Sequence, residues 1–168
     1  MEILSSKGLK DTIFDLETTG IDPLSSRITA AGFLDVETGE IEIIIDKSEE
    51  ELIRKIVEKI GEGGYRLIGW RIRSFDIPML VLRALRYKID TAAPNRIYEL
   101  SEYFGNSPVG IDSHNLAQYL GIHCTTTSGR MMPKAYLDND YEFIEQHLKE
   151  DLIMIKEIYE YIKEVWKL

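Results

Sequence analysis

A chain of 168 residues with 44% hydrophobic and 29% charged content can bury one sizeable core and is too apolar to be a disordered tail. Its formal net charge of −9 argues against a uniformly basic nucleic-acid binder, and its one cysteine, Cys124, excludes an internal disulfide and reads as a buried, inert thiol. No basic-then-apolar leader opens the chain and no apolar run approaches the roughly 20 residues of a membrane span, so a cytoplasmic protein with one domain over residues 1–168 is expected.

Met1 to Leu9 is a mixed lead-in. Lys10 to Leu16 reads as the first strand, and it runs into Asp15-Leu16-Glu17-Thr18-Thr19-Gly20. Asp15 and Glu17 are two apart, so on a strand both carboxylates leave by one face while Leu16 points to the other. Adjacent carboxylates repel unless a cation or protons offset them, and hard oxygen donors suit magnesium or manganese. Solvated acids at a strand end are the plain alternative.

A loop over Gly20 to Ser26 leads to a hairpin of Arg27 to Val36 and Glu40 to Asp46, joined through Glu37-Thr38-Gly39. In its second strand Ile41, Ile43 and Ile45 share one face and Ile44 takes the other. Ser48 with Glu51 three residues on forms a capping box that opens a helix to about Ile60, ended by Gly61, Gly63 and Gly64. Those glycines follow a helix, where a phosphate loop would precede one. Tyr65 to Trp70 is a fourth strand, and Asp76-Ile77-Pro78 opens a helix through Arg86.

Residues 94 to 108 read as a short helix and loop, and Asp112 to Leu120 as a helix stopped by Gly121. The polar, glycine-punctuated stretch His123 to Pro133 is a candidate mobile loop. Leu137 to Leu168 is a helical tail of two helices or one bent one. Strands first and helices after give an α/β or α+β sheet with helices on its faces.

Charge is unevenly spread. Between residues 66 and 96, Arg66, Arg71, Arg73, Arg83, Arg86, Lys88 and Arg96 stand against Asp76 and Asp90, a local net charge of +5 in an acidic chain. A face that meets phosphates would have this composition, and so would a solvated helix face.

Phe14-Asp15-Leu16-Glu17-Thr18-Thr19-Gly20 resembles the first motif of the DEDD superfamily of 3′-to-5′ exonucleases, whose fold is ribonuclease H-like. Residues Gly69 to Leu80 resemble the second motif, with Asp76 as the third acid. Asp151, in His147-Leu148-Lys149-Glu150-Asp151, stands where the fourth is expected. Ile111-Asp112-Ser113 with Leu116-Ala117 is similar to the segment between them in proofreading-type members. The resemblance implies an α/β fold, a mixed sheet flanked by helices. It implies a 3′-5′ exonuclease acting on single-stranded DNA or RNA 3′ ends, DNA favoured, with two divalent ions, Mg2+ or Mn2+. Asp15, Glu17, Asp76 and Asp151 would hold the metal and His147 would orient or deprotonate the attacking water. Thr18, Arg71, Arg73 and Phe75 would meet the nucleic acid.

Two features depart from the family pattern. Trp70 and Arg71 stand where histidine and asparagine are usual, and His147 occupies the spacing of a tyrosine. A non-catalytic nucleic-acid-binding module of the same fold is therefore the alternative function, and a structural domain a third. His114, His123 and Cys124 lack metal-site spacing and read as structural. Trp70, Phe75, Tyr103 and Phe104 either stack bases or fill core.

Overall fold

In the computed structural model, which describes residues 8–91, 94, 96–104, 110–124 and 129–167, the first strand outruns its expected length. β1 (Lys10–Thr18) continues two residues past Leu16, so both acids of the first motif sit on regular strand. β2 (Ile28–Asp35) and β3 (Ile41–Ile45) complete the expected antiparallel run. After α1 (Glu49–Gly61), β4 (Tyr65–Gly69) lies parallel to β1 on its other side, and after α2 (Asp76–Arg86) a three-residue β5 (Ile97–Glu99) lies parallel to β4. The mixed sheet has the order β3-β2-β1-β4-β5.

Within residues 94 to 108, expected as a short helix and loop, β5 comes first and the short helix is only a 3-10 turn; positions 95 and 105–108 lie outside the described residues. Three residues are too few to show a period, and pairing with the open edge of β4 decides their conformation. A 3-10 turn, Leu100–Tyr103, follows directly.

Alternation along the strands builds two apolar layers. Phe14, Leu16, Ala31 and Phe33 face α1 and α2, and Ile44 joins them from β3. Ile13, Ala30 and Leu34 face the opposite side, with Ile41, Ile43 and Ile45. That second side is covered by α3 (Ser113–Leu120), α4 (Met132–Leu137) and α5 (Tyr141–Trp166).

The helix ends follow local chemistry. Ser48 Oγ accepts from Glu51 N at 3.4 Å, but the return half of the expected capping box is absent. Asp46 Oδ1 takes the Ser48 N–H at 2.9 Å instead. The expected tail is one helix, α5, because Leu137 closes α4 and Asp140 then caps α5 by accepting from Phe143 N at 3.1 Å. α4 begins at Met132-Pro133, inside the stretch expected as a loop, because proline is tolerated in a first helical turn. Positions 125–128 of that stretch, and 1–7 of the lead-in, lie outside the described residues. No helix among the described residues is long and apolar enough to cross a membrane.

α5 lies close on the sheet at Gly32. A Cβ there would sit 2.5 Å from Leu152 Cδ1, 3.2 Å from its Cγ and 3.1 Å from Leu148 Cγ, and both leucines are fully buried. Gly32 is also the β2 partner of Asp15, so the spacing of α5 from the sheet is set beside the first acid. Gly32→Ala should therefore cost about 1–3 kcal/mol through overpacking. Denaturant unfolding checks this, and a midpoint equal to the parent's would show that α5 has room to move.

Candidate active site

Three elements, β1, α2 and α5, converge at the end of β1. Asp15 and Glu17 leave the strand on the side of Ile13, the side covered by α5. On α5, His147 and Asp151 are one turn apart, and Leu148 and Leu152 between and beyond them seat that face on Gly32. His147 Nε2 lies 3.6 Å from Glu17 Oε1 and 3.5 Å from Asp151 Oδ2. One atom each of Glu17, His147 and Asp151 falls within 4.8 Å of the other two, close enough to hold a single cation. Asp15 and Asp76 stand outside that tight trio. Asp76 opens α2 and reaches back to β1, where its Oδ1 accepts from Leu16 N at 3.1 Å.

Charge ties all four acids together. Desolvation raises the Asp15 carboxyl well above its ordinary value, and Asp76, Asp151 and Glu17 raise it further. Glu17 is likewise pushed well up, first by burial and then by Asp151 and Asp76. Burial raises Asp76 to about 7, against the opposing pull of the Leu16 N–H. Asp151 is raised by burial too, with the imidazoles of His147 and His114 working the other way. Asp151 Oδ1 is buried without a hydrogen-bond partner among the described residues. Carboxylates that burial and mutual repulsion disfavour as anions, one with an orphaned oxygen, are a donor set that fits a hard divalent cation.

His147 is 3% exposed, so its imidazole is held by surroundings rather than by solvent. Phe143, one turn earlier, lies parallel to its ring at 6.4 Å between centroids. Gly129 faces Nε2, and a Cβ there would be 3.9 Å away.

The residues expected at nucleic acid divide. Arg71 and Arg73 are exposed on the segment leading to Asp76, although Arg73 Nη2 donates to the Ile97 carbonyl at 2.6 Å. Thr18 Oγ1 donates to the Gly20 carbonyl at 2.9 Å, and Phe75 is half-buried against the α1/α2 layer. Trp70 is buried and stacked on Phe104, 5.7 Å between centroids, which makes it core. The basic stretch from 66 to 96 is not one free face. Arg66 forms a bidentate pair with Asp11, and Arg83 is buried against Glu49 at 2.5 Å.

Three contributors escaped the sequence reading. Glu99 is buried and accepts from Arg71 N at 2.7 Å, Arg73 N at 3.0 Å and Ser101 N at 3.0 Å, which fixes the segment before Asp76. Its charge also raises Asp76. His114, read as structural, points at Asp151 from α3, with Nε2 3.6 Å from Oδ1. Gly129 is the third. His114 stood within the family-like segment around Ile111 to Ala117, but nothing in its spacing, or in that of Glu99, marked it. Among the described residues no metal-binding cluster includes His123 or Cys124, and Cys124 is half-buried rather than fully so.

The raised acids give a pH dependence of known sign. Below about pH 4 folded and unfolded chains both keep the Asp76 proton; as pH rises toward 7 the unfolded chain has lost it while the fold retains it, so stability falls. Asn at 76 keeps an oxygen for the Leu16 N–H and removes the charge. In EDTA, Asp76→Asn should melt higher than the parent at pH 8 and show a flatter decline between pH 4 and 7. Parallel melting curves across that window would contradict the assignment.

Comparison with known proteins agrees with this architecture. Over 81 residues the chain is 41% identical to an uncharacterized protein of Methanocaldococcus jannaschii, covering 46% of this chain and 43% of that one. The family B DNA polymerase of Pyrobaculum calidifontis superposes with a TM-score of 0.77 at 16% identity, covering 92% of this chain and 24% of the polymerase. E. coli exonuclease I, solved in complex with a dT13 oligonucleotide, superposes with a TM-score of 0.61 at 13% identity, covering 92% of this chain and 41% of the enzyme. The chain thus spans less than half the length of each of these proteins. The family model for the RNase_H superfamily matches residues 12–163, and the chain belongs to that superfamily.

Proposed function

We propose that the chain is a metal-dependent 3′-to-5′ exonuclease that hydrolyses phosphodiester bonds from the 3′ end of single-stranded nucleic acid, with DNA favoured over RNA. The observation that carries this reading is the gathering of Glu17, His147 and Asp151 within 4.8 Å of one another, with Asp15 and Asp76 coupled to them through charge. Repelling, desolvated carboxylates destabilise the fold that holds them, which makes their clustering the mark of a functional site. The dT13 complex of E. coli exonuclease I supports a single-stranded DNA substrate.

Asp15, Glu17, Asp76 and Asp151 are the residues that would hold the metal. Two divalent ions of the magnesium or manganese class would supply Lewis-acid stabilisation of charge at the phosphoryl group. His147 is buried between two acids and its Nε2 faces the same space, which suits it to accept the proton of the attacking water. The water oxygen bonds to phosphorus, the bond from phosphorus to the 3′-oxygen breaks, and that oxygen leaves with a proton from solvent. Phe143, parallel to the imidazole, helps to keep it aligned. Arg71 and Arg73 meet backbone phosphates, with Thr18 and Phe75 bordering the strand end.

The direct test incubates 3′-labelled and 5′-labelled DNA and RNA oligonucleotides with the protein and Mn2+ or Mg2+. Label should leave the 3′ end first, and EDTA should stop it. His147→Ala should lower turnover by roughly 10²- to 10⁴-fold, and Asp151→Ala should abolish it together with any Mn2+-induced rise in melting temperature. Binding of oligonucleotide without cleavage under every metal condition would leave a nucleic-acid-binding module of this fold.

Phosphate contacts have their own signature. Replacing Arg71 and Arg73 together with alanine should weaken oligonucleotide binding and flatten its dependence on salt concentration. An unchanged slope would return both arginines to the solvated surface.

A further inference from the structure

His114 lies outside the residues that the motifs single out, and it comes from α3 rather than from β1, α2 or α5. Its Nε2 is 3.6 Å from Asp151 Oδ1, the buried oxygen that has no hydrogen-bond partner among the described residues. The other oxygen, Oδ2, is 3.5 Å from His147 Nε2. Asp151 therefore stands between two imidazoles from two helices, one to each oxygen.

We infer that His114 is a positioning residue for Asp151, its ring N–H fixing the rotation of the carboxylate so that Oδ2 stays turned toward Glu17 and His147. This rests on the nuclease reading above and adds to it a second histidine with a role distinct from that of His147. The terminal torsion of an aspartate is broad and roughly two-fold, so α5 fixes where Asp151 begins but not how its oxygens are turned. The His114 ring N–H, 3.6 Å from Oδ1 and short of a formed hydrogen bond, would supply the missing constraint by closing onto that oxygen. The atoms gathered within 4.8 Å come from Glu17, His147 and Asp151 and not from His114, which assigns it to the outer side of the carboxylate and not to the cation.

α3 is built to hold that donor still. Asp112 accepts from Asn115 N at 2.8 Å and from Asn115 Nδ2 at 2.6 Å, which closes the first turn around His114. Leu116 and Ala117 bury the next turn against the α5 side. The His114 side chain itself is 36% exposed, so it meets solvent on one side and Asp151 on the other.

The test measures Mn2+ affinity directly, by the paramagnetic resonance signal of free Mn2+, in the parent, His114→Ala, His114→Gln and Asp151→Ala proteins. An outer partner of a ligand typically accounts for 10- to 100-fold in metal affinity, and His114→Ala should weaken binding by roughly that factor. Glutamine carries an N–H at similar reach and should restore most of it. Parental affinity in His114→Ala overturns the inference alone. Glutamine as weak as alanine also overturns it, since packing and not the N–H would then be responsible. A parent that binds no Mn2+, or an Asp151→Ala protein that binds it as the parent does, overturns the nuclease reading and this inference together.

Discussion

α5 reaches the sheet because position 32 has no side chain. With any Cβ at Gly32 the two buried leucines of α5 would have to move, and the helix would stand off from β2. His147 and Asp151 flank Leu148 on that helix, so their distance from Glu17 is fixed by the same contact. Gly32 pairs with Asp15 across the β1–β2 ladder. The apolar seam and the acidic cluster therefore share one point, and the geometry of the site depends on how tightly the seam closes. Interiors are close-packed and do not deform smoothly, which is why this contact can hold a side chain to within a fraction of an ångström.

The fold treats buried carboxylates in two opposite ways. Glu49, behind the α1/α2 layer, accepts from Arg83 Nε and Nη2, from Tyr87 Oη and from Ile28 N. Its carboxyl is held below its ordinary value because these bonds outweigh desolvation. Asp15, Glu17 and Asp151 are desolvated, and among the described residues no ion pair joins them to an arginine or lysine; all three are raised. The same chain that satisfies Glu49 so fully leaves the site acids opposed to one another. Such opposition lowers the stability of the metal-free fold and favours whatever positive charge the site can accept.

Much of this was legible where a local rule sufficed. Period-two spacing put Asp15 and Glu17 on one face, a turn of helix joined His147 to Asp151, and Asp76-Ile77-Pro78 marked the start of α2 at its true residue. What escaped was set by contacts distant in sequence. Gly32 matters through α5, over a hundred residues later, and β5 exists because β4 offers an edge. The missing half of the capping box went to Asp46, which competes for the same N–H. Reading the arginines from 66 to 96 as one face failed for a similar reason. Asp11 and Glu49, which take Arg66 and Arg83, come from outside that stretch.

The second motif shows how a departure in sequence is absorbed. Arg71 adopts a left-handed backbone with φ of 59°, a conformation that asparagine enters far more readily than arginine. Asparagine is also the residue that the resemblance places there, and it would enter this backbone conformation with less strain. Here Glu99 holds the strained turn by accepting from the N–H groups of both Arg71 and Arg73. Trp70, next to it, is turned inward onto Phe104. The backbone thus arrives at Asp76 in a fixed path despite the changed residues, while the Arg71 side chain is left on the surface beside the site. A buried acid from β5 holds this conformation, and the Arg71 side chain that it leaves outside is exposed to solvent.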